Sequence, residues 1–216
     1  MEEREGVIRF RLEHRAAPPA AIAVIAELDA WRTVLHRLGL VGQDPARYHG
    51  LGFGNVSMRD PGGRGFLVTG SQTGHLASLG PEGYCRVLRC DVAANLIVAE
   101  GPVPPSSEAL SHGAVYAARP QAGCVLHGHS PDIWRMADIL GLPCSDPAVP
   151  YGTPAMAGEV ERLCVERLEP DRGLFVMGGH EDGVIVYGAT PSTAGQLLVS
   201  TLTQALQRLA LSASAR

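Results

Sequence analysis

The chain has 216 residues, 45% hydrophobic and 19% charged, enough apolar material for one compact core and too little charge for disorder. A net charge of −4 and a pI near 6.0 provide no basic footprint for nucleic acid or an anionic membrane. All 18 basic residues are arginine, which excludes Schiff-base catalysis, a lysine-anchored pyridoxal phosphate and a Walker A loop.

In chain order, residues 6–14 alternate like a strand. Pro18 and Pro19 then open a helix carried by Ile22, Ile25, Leu28, Trp31, Leu35 and Leu38 to about Leu40. The most apolar early run, Ala16 to Ile25, is too short to span a bilayer and contains both prolines. A Gly-rich stretch through Gly50, Gly52 and Gly54 leads to two short strands, 55–59 and 65–69, joined by a turn at Asp60-Pro61-Gly62-Gly63. Residues 70–84 read as a polar loop, and 85–88 and 95–99 as strands. Helices are expected from Ser107 to about Ala118, over 131–140 and over 154–168. A strand is expected over 123–127, and two more, 174–177 and 184–187, flank a loop around His180. Thr190 caps a last helix with Pro191 at its first position, running to about Leu211. Hairpin-like strands mixed with helices predict a single domain over 1–216: a largely antiparallel mixed sheet covered by helices on both faces, with residues 1–18 as a strand or arm.

Cys85, Cys90, Cys124, Cys144 and Cys164 are odd in number and lack a C-x-x-C pair, so they read as free thiols of a reducing compartment. The acidic start, Met1-Glu2-Glu3-Arg4-Glu5, does not match a signal peptide, and a cytoplasmic location is expected.

Four groups of residues carry chemistry. His127 and His129, two apart on a strand, point the same way and can converge on one cation, with Gly128 leaving room between them. Two polar histidines at a strand end are the plainer alternative. His180 lies in a Gly-flanked loop, where it is either solvated or a third ligand; three imidazoles with an open position define a catalytic metal site. Glu108, behind Ser106 and Ser107 at a helix N-terminus, is either a first-turn acid complementing the helix dipole or a base or ligand. The two serines are either N-caps or part of an anion site. Gly54-Asn55-Val56-Ser57 and Thr69-Gly70-Ser71-Gln72-Thr73-Gly74 are turn-forming loops that can also present amides to an anion. Gly128-His129-Ser130-Pro131 fails the G-x-S-x-G pattern of a hydrolase elbow.

GFGNVSMR (52–59), FLVTGSQTG (66–74), PSSEALSHGAVYAARP (105–120), GCVLHGHSPDIW (123–134) and MGGHEDGVIVYG (177–188), in that order, resemble the class II aldolase/adducin family over roughly residues 20–210. The resemblance implies a three-layer α/β/α domain and a homotetramer with sites between subunits. It implies a divalent metal on His127, His129, His180 and Glu108, with Zn²⁺ ahead of Mn²⁺, Fe²⁺ or Co²⁺. Glu108 would also be the general base. Asn55, Thr73, Gly74, Ser106 and Ser107 would hold a substrate phosphate. The implied activity is a lyase, with aldolase-type C–C cleavage of a small hydroxy-carbonyl compound, a sugar phosphate or hydroxy-acid. A decarboxylase or a methylthioribulose-phosphate-type dehydratase can use the same site, as can an Fe(II) oxygenase. An adducin-like interaction domain is the non-catalytic alternative. Ribulose-phosphate epimerases fit less well, because they usually carry Asp at position 108 and a lysine in the threonine loop.

This chain departs from the family pattern at two places. The 69–74 loop is longer than the usual T-P-S-G or T-P-T-G. Glu181 and Asp182 follow His180 where N-H-G is common, offering a further carboxylate. Tyr151 is the candidate for the family's proton-donating tyrosine, with an ordinary packed tyrosine as the alternative.

Overall fold

A computed structural model describes residues 8–214. Its elements, in chain order, are β1 (Arg11–Arg15), α1 (Ile22–Arg37), β2 (Gly42–Gln43), β3 (Gly52–Phe53), β4 (Asn55–Arg59), β5 (Phe66–Thr69), β6 (Tyr84–Asp91), β7 (Leu96–Glu100), α2 (Ala109–Ala118), β8 (Cys124–His129), α3 (Pro131–Arg135), α4 (Ala137–Leu140), α5 (Pro154–Arg167), β9 (Arg172–Val176), β10 (Gly183–Gly188) and α6 (Pro191–Ser214).

Eight strands form one sheet in the order β1-β7-β6-β5-β4-β8-β10-β9, and β2 and β3 form a separate hairpin. β1 runs parallel to β7, while the other neighbours in the sheet are antiparallel. One face carries α2 and α5 over Val68, Val125, Phe175 and Ile185. The other carries α1 and α6 over Val56, Leu67, Leu126 and Val186. This is the expected α/β/α arrangement with a mixed, largely antiparallel sheet. Burying each such apolar side chain contributes about 1.5–3 kcal/mol relative to leaving it exposed.

β8 lies between β4 and β10, and all six of its residues are buried. It runs to His129, two residues past its expected end, so both histidines of the pair sit on a fully hydrogen-bonded strand. α1 begins at Ile22, later than Pro18 and Pro19 suggest, and Ile22 and Leu38 lie on its exposed side. Its buried stripe is Ile25, Leu28, Arg32 and Leu35, with a charged residue where the pattern calls for an apolar one. The helix expected over 131–140 is two short pieces broken at Met136, whose ψ is 5°. Thr190 caps α6 as expected, accepting from the Thr193 amide at 3.1 Å, and the helix runs three residues beyond Leu211. Of the strand expected over 6–14, Gly6 and Val7 lie outside the described residues, and β1 itself spans 11–15. The five cysteines are free. Among the described residues no helix is long and apolar enough to cross a membrane.

Candidate metal centre and its pocket

His127 stands opposite Asn55 of β4 and Ile185 of β10, and His129 opposite Gly183. Alternation along β8 turns both imidazoles to the α2 side of the sheet, the side of Val125. Gly128 faces the other way. A side chain there would meet the Leu40 carbonyl at 3.2 Å and Leu198 at 3.7 Å. Its smallness serves the close approach of the Leu40 carbonyl, which accepts from the His129 amide at 2.8 Å, and not, as its position in the sequence suggested, the gap between the histidines.

His180 arrives from the turn between β9 and β10. The turn is closed by Met177 N–H to Gly183 O (2.8 Å), His180 N–H to Met177 O (3.1 Å) and Gly183 N–H to His180 O (2.9 Å). Gly178 and Gly179 press against the 145–149 backbone: a Cβ would meet Ser145 O at 2.4 Å and Val149 O at 2.1 Å.

Ligand atoms of His127, His129 and His180 lie within 4.8 Å of one another, and all three residues are buried. His127 Nε2 and His129 Nε2 are 3.2 Å apart. Two nitrogens on a tetrahedral cation at zinc–imidazole bond lengths sit about 3.3 Å apart, so this pair already has the required spacing. His127 Nδ1 donates to Val184 O at 3.1 Å, which leaves the Nε2 lone pair for the centre. Burial, then His180, then His112 hold His127 well below the usual histidine range. Burial, His180, His127 and Arg47 do the same to His129. Both are thereby kept as neutral imidazoles, the form that ligates a metal.

Aromatic rings wall the cluster. Tyr151 stacks on His180 with centroids 4.1 Å apart, and Arg9 covers the tyrosine's other face at 4.6 Å. Tyr48 meets His129 edge-on at 4.6 Å, and Phe53 approaches it at 5.5 Å. The Tyr48 hydroxyl donates to Asp182 Oδ2 at 2.7 Å and accepts from Arg47 at 2.7 Å. Burial and Asp182 push the Tyr48 phenol up. Asp182 is thus engaged by Tyr48, and Glu181 is exposed. Neither belongs to the three-histidine group.

Glu108 also lies outside that group. It is buried just before α2, accepts from Ser111 Oγ at 3.0 Å, and its amide donates to Ser106 Oγ at 3.3 Å. It lines a pocket with Asn55, Thr73, Gly74, Ser106 and Ser107, together with Gly52, Gly54, Gly70, Ser71 and Gln72. All five residues expected at an anion therefore meet in one cavity with the expected base, and Asn55 joins that cavity to His127 through its strand pairing. Asn55 is 6% exposed, and its Oδ1 has no hydrogen-bond partner among the described residues.

Three residues of this neighbourhood, His112, Tyr116 and Tyr48, escaped the sequence reading. Ser57 Oγ lies 2.6 Å from His112 Nδ1 and 2.8 Å from the Tyr116 hydroxyl, a fully buried polar chain beneath the site. The i, i+4 spacing of Glu108 and His112 was the available signal. Tyr48 gave none, because it is held over His129 by a left-handed backbone (φ 47°) that its residue type does not advertise.

The model of the Class II Aldolase and Adducin N-terminal domain family matches residues 46–207, and the chain belongs to this family. Among solved structures it is similar to L-fuculose-1-phosphate aldolase from Thermus thermophilus, at 23% identity and a TM-score of 0.61, over 88% of this chain and 94% of that one. YgbL from Escherichia coli, a candidate aldolase/epimerase/decarboxylase, matches at 20% identity and 0.65, over 88% and 89%. The sugar-phosphate aldolase from Thermotoga maritima matches at 16% and 0.57, over 88% and 96%. At these identities the likeness is one of fold. No curated protein matches the chain.

Proposed function

We propose that this protein is a divalent-metal-dependent lyase that cleaves a C–C bond in a small hydroxy-carbonyl substrate bearing an anionic group such as phosphate. The observation that carries the reading is the three-histidine cluster, buried and partly at tetrahedral spacing, beside a pocket that contains a buried carboxylate. His127, His129 and His180 would hold the cation, with Glu108 as the fourth, displaceable ligand; Zn²⁺ suits three imidazoles best, ahead of Mn²⁺, Fe²⁺ or Co²⁺. Bound there, a cation supplies Lewis-acid polarisation of adjacent substrate oxygens. Glu108 moves a proton to or from the substrate, and Ser111 orients its carboxylate. Asn55, Thr73, Gly74, Ser106 and Ser107 grip the anionic group with side-chain and backbone polar groups. Tyr151, at 1% exposure and stacked on His180, fixes the plane of that imidazole, and we assign it this role ahead of proton donation. The same proton transfer serves decarboxylation of a related hydroxy-acid, or dehydration, and the products distinguish these. We further infer that the chain works as one unit over 1–216, in the cytoplasm, as a homotetramer.

The test is elemental analysis of the purified protein beside His127→Ala and Glu108→Gln, with a panel of ketose phosphates and hydroxy-acids screened for cleavage. About one transition metal per chain is expected, lost in His127→Ala and retained in Glu108→Gln, whose turnover falls by at least about a hundredfold. Native protein that contains no metal and refuses added Zn²⁺ or Mn²⁺ would overturn the lyase reading in favour of a non-catalytic interaction domain. Near-normal turnover in Glu108→Gln would remove Glu108 from its role.

A further inference from the structure

We propose that Arg32 is a positioning residue for the substrate's anionic group: from the buried face of α1 it fixes the 73–76 turn and sets a positive charge behind the pocket. The inference rests on the reading of that pocket as an anion subsite. Arg32 is 1% exposed, on a helix stripe that is otherwise apolar. A buried guanidinium is costly unless its donors are used. Here they go to backbone carbonyls and not to a carboxylate: Leu76 O, Thr73 O at 3.1 Å and Gly74 O at 3.5 Å. Asp29 acts on the guanidinium electrostatically, but its Oδ1 accepts from the Tyr84 hydroxyl at 2.9 Å.

The direction of these bonds matters. In a trans peptide the carbonyl and the next amide N–H point in opposite directions. Carbonyls of 73 and 74 turned to α1 therefore aim the N–H groups of Gly74 and His75 away from it. α1 covers one face of the sheet and α2 the other, and Thr73 and Gly74 meet Ser106 and Ser107 in the pocket. Aligned peptide dipoles backed by a cation in a poorly solvated setting make an anion site of the kind that helix termini and backbone nests provide. The turn has little freedom to relax. A Cβ on Gly74 would meet Gly42 O at 2.3 Å, and Thr73 Oγ1 donates to Gly70 O at 2.9 Å.

The experiment measures binding of inorganic phosphate by calorimetry to metal-loaded native protein, Arg32→Met and Arg32→Lys, with metal content and thermal unfolding read in parallel. Arg32→Met is expected to weaken phosphate by about tenfold or more while still carrying its metal, and Arg32→Lys to recover part of the loss because the charge returns without the fork of donors. Arg32→Met that binds phosphate within about twofold of native would overturn the proposal. Should Arg32→Met fail to fold, Arg32→Lys decides, since native-like phosphate binding there overturns the donor geometry argued above. Native protein that holds metal but no phosphate would overturn the anion-subsite reading itself.

Discussion

His112 is fully buried one helical turn beyond Glu108, bonded through Nδ1 to Ser57, and its Nε2 has no partner among the described residues. Desolvation holds its imidazole down to about 3. The unfolded chain takes up a proton here below about 6.5, while the folded chain does so only near 3. Between those values the unfolded state binds more protons, so stability falls as the pH is lowered, by about 1.4 kcal/mol per pH unit for one such group. His127 and His129 are depressed in the same direction and steepen the fall in metal-free protein. Urea unfolding of chelator-treated protein from about pH 7 to about pH 5 measures the slope. His112→Gln is expected to reduce it by close to one proton's worth. An unchanged slope would mean that the folded protein already accommodates the charged imidazole.

At the scale of elements, the turn carrying His180 is held by backbone packing, and Gly179 is where that can be tested. In Gly179→Ala the new methyl must displace the Val149 carbonyl, so we expect a loss of about 1–3 kcal/mol together with weakened metal retention. Gly158→Ala in α5 is the control. Nothing lies within 4 Å of its Cβ, and it should stabilise the helix by up to about 1 kcal/mol. Equal responses in urea unfolding would refute the packing argument. Elements defined by periodicity or by caps were legible in the sequence. β4 falls on 55–59 as expected, α5 starts at Pro154, and α6 is capped by Thr190. What escaped depends on distant partners. The β2–β3 hairpin is two residues a side, too short to show alternation. The break at Met136 has no proline or glycine to announce it. The site was legible where spacing encodes geometry, as in His127 and His129. It was not legible where a ring or a guanidinium reaches it across the fold, as Tyr48 and Arg32 do.

For the whole molecule, the candidate ligands bridge elements far apart in sequence: β8 supplies two histidines and the β9–β10 turn the third. An unfolded chain does not preform this site, so a bound cation stabilises the folded state by mass action, about 2.7 kcal/mol at a free concentration one hundred times its Kd. In a domain of this size each kcal/mol moves Tm by about 2–4 °C, so chelation should lower Tm by roughly 5–10 °C. Restoring Zn²⁺ or Mn²⁺ should reverse the shift. His127→Ala should start near the chelated value and respond to neither treatment, because the imidazole facing His129 at 3.2 Å is gone. Stabilisation by the same cations in His127→Ala, equal to that of native protein, would place metal binding elsewhere in the molecule and remove the three-histidine cluster from the centre of the proposed chemistry.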